Sequence, residues 1–499
     1  MSVATTIPQV ASLDQARALI AEQFQTIQQL HWQVSQLKKQ LFGPSSERHT
    51  AETLSKEQIL LSLFGAPAEP SATAGVVLPA PAEPRPEPRV RRQPAAKVLE
   101  TVTERLEPQE KVCPHCGQEK CEIGQETSER YEYVPAKIVR HEIIRPKLAC
   151  TCGQAGVSIA ALPPRVVTQG QPAASLVAHV LLSKFADHLP LHRQQQQFAR
   201  LGVNFSKSTL GDWVAQGATW LQPIVREMKR QMLQSDYVQV DETPVRVQDP
   251  EVIGKCATGW LWVMGQPKGD VIFEFHPGRG QEFAQHLVGD FKGYLQRDGY
   301  GVYGALARDH PALIPVGCWS HARRKFVEAL EEQSELAVPI VNELRKLYLV
   351  ERHARDEGLT SEQRHELRRT TSAPILAALR PRLESVRERV LPQSPLGKAA
   401  RYCLAEWEAL NRYLADGRLE IDNNLTENAI RPSAIGKKNW LFIGHPEAGW
   451  RSAVIYSIIV SCQRRGIEPW DYLRDALGRL PAMKHSELPS LLPANWKPM

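Results

Sequence analysis

Two aspartates occupy matching places in the sequence. Asp241 closes the apolar run Tyr237-Val238-Gln239-Val240 and precedes Glu242-Thr243; Asp298 closes Gly293-Tyr294-Leu295-Gln296-Arg297 and precedes Gly299-Tyr300. Each reads as an acid at the end of a β-strand, and carboxylates on adjacent strand ends can share a hard cation such as magnesium through oxygen. A two-metal site needs a third acid. The best source is Asp422-Asn423-Asn424-Leu425-Thr426-Glu427-Asn428-Ala429-Ile430-Arg431-Pro432. On a helix Asn423, Glu427 and Arg431 share one face, which sets an acid beside an amide and a guanidinium, a grouping suited to a metal and a phosphate. Glu427 is the leading candidate; Glu420 and Asp422 are rivals, and Asp422 also suits a helix N-cap.

A second constellation is Cys113-Pro114-His115-Cys116-Gly117 with Cys150-Thr151-Cys152-Gly153. Two thiolate pairs on tight turns supply the four soft ligands of a structural zinc. Between them Tyr131 to Val134 and Ile138 to His141 alternate as short strands do, so a zinc ribbon is expected over residues 105–165. The second pair is short by one residue, which keeps His115 and Cys121 as substitute ligands. The N-terminus shows no basic patch before an apolar core, so the expected home is a reducing cytosol, where paired cysteines imply metal before disulfides.

These sites need elements to hold them. With 42% hydrophobic and 23% charged residues in a chain of 499, several folded domains are expected and full disorder is excluded. No apolar run reaches the roughly 18 residues of a membrane span. Leu13, Ile20, Ile27, Val34 and Leu41 recur every seven residues, with Leu30 and Leu37 between them. That seam predicts a coiled-coil helix over 10–42 that assists homo-oligomerisation, or else an amphipathic helix packed on its own chain. Residues 65–97, dense in Pro, Ala and Glu, read as a disordered linker. Residues 172–232 read as helical and helix-turn-helix-like, with Ser206-Lys207-Ser208-Thr209 opening the second helix after Gly202; a plain helical connector has the same look. Over 235–445 the order is three strands, helix, strand, helix, strand, a mixed α/β sheet, interrupted by a helical insertion at about 327–414. A helical element, 446–499, follows.

The formal charge of +6 argues only weakly for nucleic acid, but its placement adds to the case. Arg323, Arg324 and Lys325 are consecutive, and Arg431, Lys437, Lys438, Arg451, Arg464 and Arg465 gather near the C-terminus. A solvated basic face is the competing explanation.

Taken together the motifs resemble the insertion-sequence-sixty-six family of transposases. The resemblance rests on Leu41-Phe42-Gly43 with Ser45-Ser46-Glu47, the Cys-Pro-His-Cys ribbon, Lys184-Phe185-Ala186-Asp187-His188-Leu189-Pro190-Leu191 and Val240-Asp241-Glu242-Thr243-Pro244. It continues with Gln296-Arg297-Asp298-Gly299-Tyr300, His321-Ala322-Arg323-Arg324-Lys325-Phe326, Asp422-Asn423-Asn424 with Glu427, and Lys437-Lys438-Asn439-Trp440-Leu441-Phe442. It implies a ribonuclease-H-like catalytic domain with an Asp-Asp-Glu triad, in which Asp241, Asp298 and Glu427 hold two Mg2+ (or Mn2+) ions for DNA strand cleavage and strand transfer. It further implies double-stranded DNA partners (terminal inverted repeats and target), a homo-oligomer, accessory transposition proteins, no membrane, and a cytoplasmic, nucleoid-associated location. His321, Arg323, Arg324, Arg431, Lys437, Lys438 and Trp440 become candidate DNA contacts, although His321 to Arg324 also fit a helix start and Trp440 a core position. The alternatives are a non-catalytic DNA-binding regulator or domesticated transposase, and a metal-dependent nuclease that does not join strands.

The cysteine pairs make a direct prediction. Purified protein should hold about one zinc per chain, and Cys113→Ser or Cys150→Ser should remove it in elemental analysis. Zinc content unchanged in both variants would assign the thiols to another role.

Overall fold

A computed structural model describes His115 and residues 136–148, 158–167 and 172–498. All but His115 belong to one unit, Ser128–Met499. The heptads of 10–42, the linker 65–97 and the paired cysteines Cys113, Cys116, Cys150 and Cys152 lie outside the described residues. The expected strand Ile138 to His141 does not form; the pairing that forms joins β1 (Lys147–Leu148) antiparallel to β2 (Ser158–Ile159). Val139 and Ile144 are exposed, so no buried face fixes a register for the earlier segment.

Apolar residues at helical spacing build the first block. Helix α1 (Ala174–Phe185) buries Val177, Val180, Leu181 and Phe185; α2 (Leu191–Arg200) follows. The chain then reverses through Gly202, whose φ of +84° favours glycine. Helix α3 (Lys207–Met232) begins where the Ser206 hydroxyl accepts from Thr209 N at 3.0 Å. Gly217 lets it press against Leu181 of α1.

Five strands follow: β3 (Tyr237–Val247), β4 (Ala257–Gly265), β5 (Val271–His276), β6 (Gly293–Gln296) and β7 (Leu313–Val316). Their order is β5-β4-β3-β6-β7; β3, β4 and β5 are antiparallel, and β3, β6 and β7 parallel. Helix α4 (Gln281–Val288) connects β5 to β6, and α5 (Gly301–Asp309) connects β6 to β7. One expectation needs correcting: Asp241 does not end its strand. β3 runs to Val247 because β4 pairs with it throughout, whereas β6 accompanies it only from Tyr237 to Gln239. Asp241 therefore sits two residues past the last parallel pair, where one side of the strand opens.

After β7 come α6 (Trp319–Glu328), α7 (Leu330–Asp356), α8 (Ser361–Leu367), α9 (Ala373–Arg389), α10 (Pro395–Ala405) and α11 (Trp407–Asn411). They bury their own core, including Trp319, Phe326, Leu344, Leu379 and Leu396, against Val316 at the sheet edge. The chain returns to the sheet with α12 (Asn424–Trp440), α13 (Gly449–Arg464) and α14 (Pro469–Arg479). Every residue of α13 from Ala453 to Cys462 is buried. Its Ser457 and Ser461 hydroxyls accept from Phe273 N at 2.8 Å and Val271 N at 3.0 Å, so they satisfy the outer edge of β5. No helix among the described residues is long and apolar enough to cross a membrane.

A buried ionic knot ties the helical insertion to the chain returning from it. Arg368 is 0% exposed and donates to Glu351 at 2.7 Å and to the carbonyls of Tyr413 (2.7 Å), Asp416 (3.0 Å) and Leu419 (2.8 Å). Arg364 joins Glu351 and Glu420, both at 2.7 Å. Removing one partner of such a knot leaves a buried charge uncompensated. Glu351→Ala should cost about 3–5 kcal/mol in urea unfolding; a loss below about 1 kcal/mol, the value of a surface pair, would show the knot to be dispensable.

Candidate active site

Two buried glutamines organise the open end of the sheet. Gln239 and Gln296 face each other on β3 and β6, both 0% exposed. Gln239 Nε2 donates to Gln296 Oε1 at 2.7 Å and to the Asp422 carbonyl at 3.2 Å, while its Oε1 accepts from Thr426 Oγ1 at 3.1 Å. Gln296 Nε2 donates to the carbonyls of Glu420 (2.8 Å) and Gly317 (3.1 Å). The Tyr237 hydroxyl accepts from Glu420 N at 3.0 Å. Each of these bonds is worth about 1 kcal/mol net, but a buried amide left unpaired costs more. Together they stitch residues 420–426 across the sheet, so that α12 starts at a defined point and Glu427 stands in its first turn.

Asp241, Asp298 and Glu427 come from three elements, and the charges of Glu427 and Asp298 are near enough to act on the Asp241 carboxyl. Among the described residues the three do not gather their oxygens within 4.8 Å of one another. Asp241 Oδ1 accepts from Glu242 N at 2.9 Å, and Asp298 Oδ1 from Tyr300 N at 2.9 Å. Burial pushes the Asp241 carboxyl up to about 8, and the negative charges of Glu242, Glu427 and Asp298 push it the same way. The two rivals for third acid are otherwise engaged. Glu420 is held by Arg364, and Asp422 accepts from Asn424 N at 3.2 Å and from its side-chain amide at 2.9 Å. Asp422 does not cap α12; Asn423 holds that position.

Glu427 keeps one oxygen, Oε1, buried without a hydrogen-bond partner. His321 Nδ1 lies 3.6 Å from it, and the Arg324 guanidinium 4.0 Å from the other oxygen. His321 is also 3.3 Å from the buried Cys318 Sγ, and the ligand atoms of Cys318, His321 and Glu427 all fall within 4.8 Å of one another. The orphaned Glu427 oxygen and the carboxylates of Asp241 and Asp298, which interact electrostatically, are ligands of the type a hard divalent cation takes, although the ligand atoms gathered within 4.8 Å of Glu427 are those of Cys318 and His321.

The candidate cations divide by environment. Arg324, Arg431 and Lys438 are exposed. Arg323 lies over the Tyr348 ring at 5.7 Å. Lys437 Nζ donates to the Pro244 carbonyl at 3.0 Å and so fastens α12 to β3. Trp440 packs partly buried on the core, with Lys184 Nζ 5.6 Å from its ring centre. Two arginines of the C-terminal basic group serve the fold: Arg464 donates to the Leu425 carbonyl at 2.9 Å, and Arg465 to Asp270 at 2.7 Å.

Several residues that shape the site went unmarked in the sequence. Glu242 points to the opposite sheet face, where Arg279 Nε donates to it at 2.8 Å and the Tyr303 hydroxyl at 2.7 Å. Arg279 in turn stacks on Tyr300 at 3.8 Å, next to Asp298. The glutamines did leave a signal: Gln239-Val240-Asp241 and Gln296-Arg297-Asp298 repeat one Gln-x-Asp spacing.

The raised Asp241 carboxyl has a signed consequence for stability. Its folded value, about 8, exceeds the ordinary 3.8, so the folded state holds a proton that the unfolded chain has lost. Stability should fall as pH rises from about 4 to about 8 and then level off. In chelator, Asp241→Asn should raise the thermal midpoint relative to the parent, and the gain should grow across that window. A gain independent of pH would place the Asp241 carboxyl in an ordinary solvated setting.

Comparison with known proteins fits this geometry. Residues 169–451 match the model described as transposase IS66 family. Residues 110–153, which span Cys113 to Cys152, match the zinc-finger binding domain of transposase IS66, and 29–103 match transposase C of IS166 homeodomain. Among curated proteins the chain is 35% identical over 410 residues to the uncharacterized protein y4jD of Sinorhizobium fredii, covering 79% of each. It is 35% identical over 434 residues to y4qI of the same organism, covering 83% of this chain and 79% of that one. To a third, y4hP, it is 28% identical over 497 residues, covering 94% of this chain and 88% of that one. With its central model matched across the sheet, the insertion and the site helix, the chain belongs to the transposase IS66 family.

Proposed function

We propose that this chain is a DNA transposase of the Asp-Asp-Glu type that cleaves DNA strands and joins them to a target. The observation that supports the reading is that Asp298, in the turn after β6, and Glu427, on α12, both lie near enough to Asp241 on β3 for their charges to oppose its ionisation. Such an arrangement costs stability unless a cation joins it. The order β5-β4-β3-β6-β7, antiparallel on one side of β3 and parallel on the other, supports a ribonuclease-H-like fold.

Asp241, Asp298 and Glu427 would hold two magnesium or manganese ions, which lower the pKa of an attacking hydroxyl and stabilise the leaving oxygen. The chain's own part is placement. The glutamine pair sets the start of α12, and thereby the Glu427 carboxylate, relative to Asp241. His321 and Arg324 flank Glu427 and can meet phosphate oxygens, while Arg431 and Lys438 extend the positive charge along the same helix. In hydrolysis a water oxygen bonds to phosphorus as the P–O bond to the 3′-oxygen breaks. In joining, that freed 3′-hydroxyl bonds to a target phosphorus as the target's own 3′-oxygen leaves with the proton, and no enzyme-linked intermediate is needed. Cys113, Cys116, Cys150 and Cys152 would hold the structural zinc of the ribbon. Residues 172–232 would add DNA contacts, and the 10–42 heptads would assist homo-oligomerisation.

The test is strand cleavage and joining of a pre-cleaved element end in Mg2+. Asp241→Asn, Asp298→Asn and Glu427→Gln should each lose at least about 10³-fold, far from additively, and still bind DNA. Glu420→Gln and Asp422→Asn should retain the chemistry. Full activity in both aspartate variants would overturn the catalytic reading, and cleavage without joining by the parent would favour a nuclease.

A further inference from the structure

The helix that carries Glu427 ends in an unusual turn. Leu441 has φ 69° and ψ −50°, and Phe442 N donates to the Trp440 carbonyl at 2.9 Å. That is the rare γ-turn of positive φ, strained for any residue and more so for a bulky one. Glycine would meet the same backbone demand without a side chain in the way. The strain is imposed from both sides. Trp440 packs on the core, and Ile443 pairs with β3, its N donating to the Arg246 carbonyl at 2.8 Å and its carbonyl accepting from Gln248 N at 2.8 Å. Between these anchors Leu441 and Phe442 are forced outward, 60% and 39% exposed.

What surrounds them is charge. Glu427, Arg431, Ile435 and Lys438 follow one another at spacings of four, four and three, so they form one stripe along α12 that leads toward the turn at Leu441 and Phe442. Arg431 and Lys438 are exposed, as is Ile435. The stripe starts at the acid proposed to act on phosphate and runs toward the apolar turn. At 1.5 Å per residue the turn lies about 20 Å along the helix axis from Glu427, or about six base pairs of duplex at 3.4 Å each.

We propose that Leu441 and Phe442 form an apolar wedge that enters the base stack of bound DNA about half a helical turn from the reacting phosphate, while Arg431 and Lys438 hold the backbone between. The proposal rests on the DNA reading above. Wedges of this chemistry unstack a base step at a cost of a few kcal/mol, which DNA that is already distorted does not incur. It also gives the strained leucine a purpose, since strain of this kind persists where function requires it.

The experiment compares binding of the full chain to a short paired duplex and to the same duplex carrying one unpaired adenine. The parent should prefer the distorted duplex by about tenfold or more. Leu441→Ser combined with Phe442→Ser should bring that preference to about unity while leaving the salt dependence of binding in place. Leu441→Gly should reduce the preference and yet keep or raise the thermal midpoint, because it relieves the backbone. A serine variant that retains the preference, a lower midpoint in Leu441→Gly, or a loss of self-association in the serine variant would each overturn the wedge. Absence of any DNA binding by the parent would overturn the DNA reading and the wedge with it.

Discussion

The site depends on a pair of amides buried where most sheets bury hydrocarbon. Gln239 and Gln296 bond to each other across β3 and β6, and each also bonds the segment 420–426, with Gln296 reaching the Gly317 carbonyl besides. An apolar pair could fill the same volume but could not dictate where the crossing segment lies. Directional bonds can, because a misplaced carbonyl leaves a buried amide unpaired. The placement of Glu427 is thus fixed by polar matching inside the sheet between parts of the chain far apart in sequence, with Gln296 and Glu420 124 residues apart and Gln239 and Asp422 183 apart.

The helical insertion has a role in the same arrangement. Its Glu351, Arg364 and Arg368 hold the carbonyls of Tyr413, Asp416 and Leu419 and the Glu420 carboxylate. The chain leaving the insertion is therefore clamped before it reaches the glutamines. Two successive polar clamps deliver α12, one supplied by the insertion and one by the sheet. The insertion is thus part of how the site is built, and its own hydrophobic core gives the first clamp a rigid base.

Much of this was legible in the sequence. Asp241 and Asp298 stand out because an acid after an apolar run has little reason to be there except chemistry or a turn, and Glu427 because its spacing from Asn423 and Arg431 reads as one helix face. In the structure Asn423 is buried at the N-cap of α12, while Arg431 is exposed. The succession of strands and helices along the chain was visible in the alternation of apolar runs and helical stretches, whereas the side-by-side order β5-β4-β3-β6-β7 was not. The reach of β3 past Asp241 was not, because Glu242-Thr243-Pro244 reads as a strand stop. Proline is tolerated there since between Gln239 and Arg246 β3 is paired on one side only, Ile443 joining it only from Arg246 onward. The glutamines looked like polar breaks in apolar strands, and their partners are too distant in sequence for any local pattern to show. The basic cluster near the C-terminus mixed two populations, and only burial separates the arginines that hold α12 and β5 from the exposed cations of the site helix.

The serines of α13 set a timetable for synthesis. Ser461 meets β5 from 190 residues further along the chain, so the outer edge of that strand has no partner until the C-terminal helix has left the ribosome. Through most of translation the sheet carries an open edge able to recruit a strand from another nascent chain. A chain cut short before α13 would keep that edge permanently, as well as the apolar surfaces of β5 and α3 that the helix covers. Frameshifts or stop codons late in the reading frame should therefore yield aggregates rather than folded fragments, even though Asp241, Asp298 and Glu427 all precede the break.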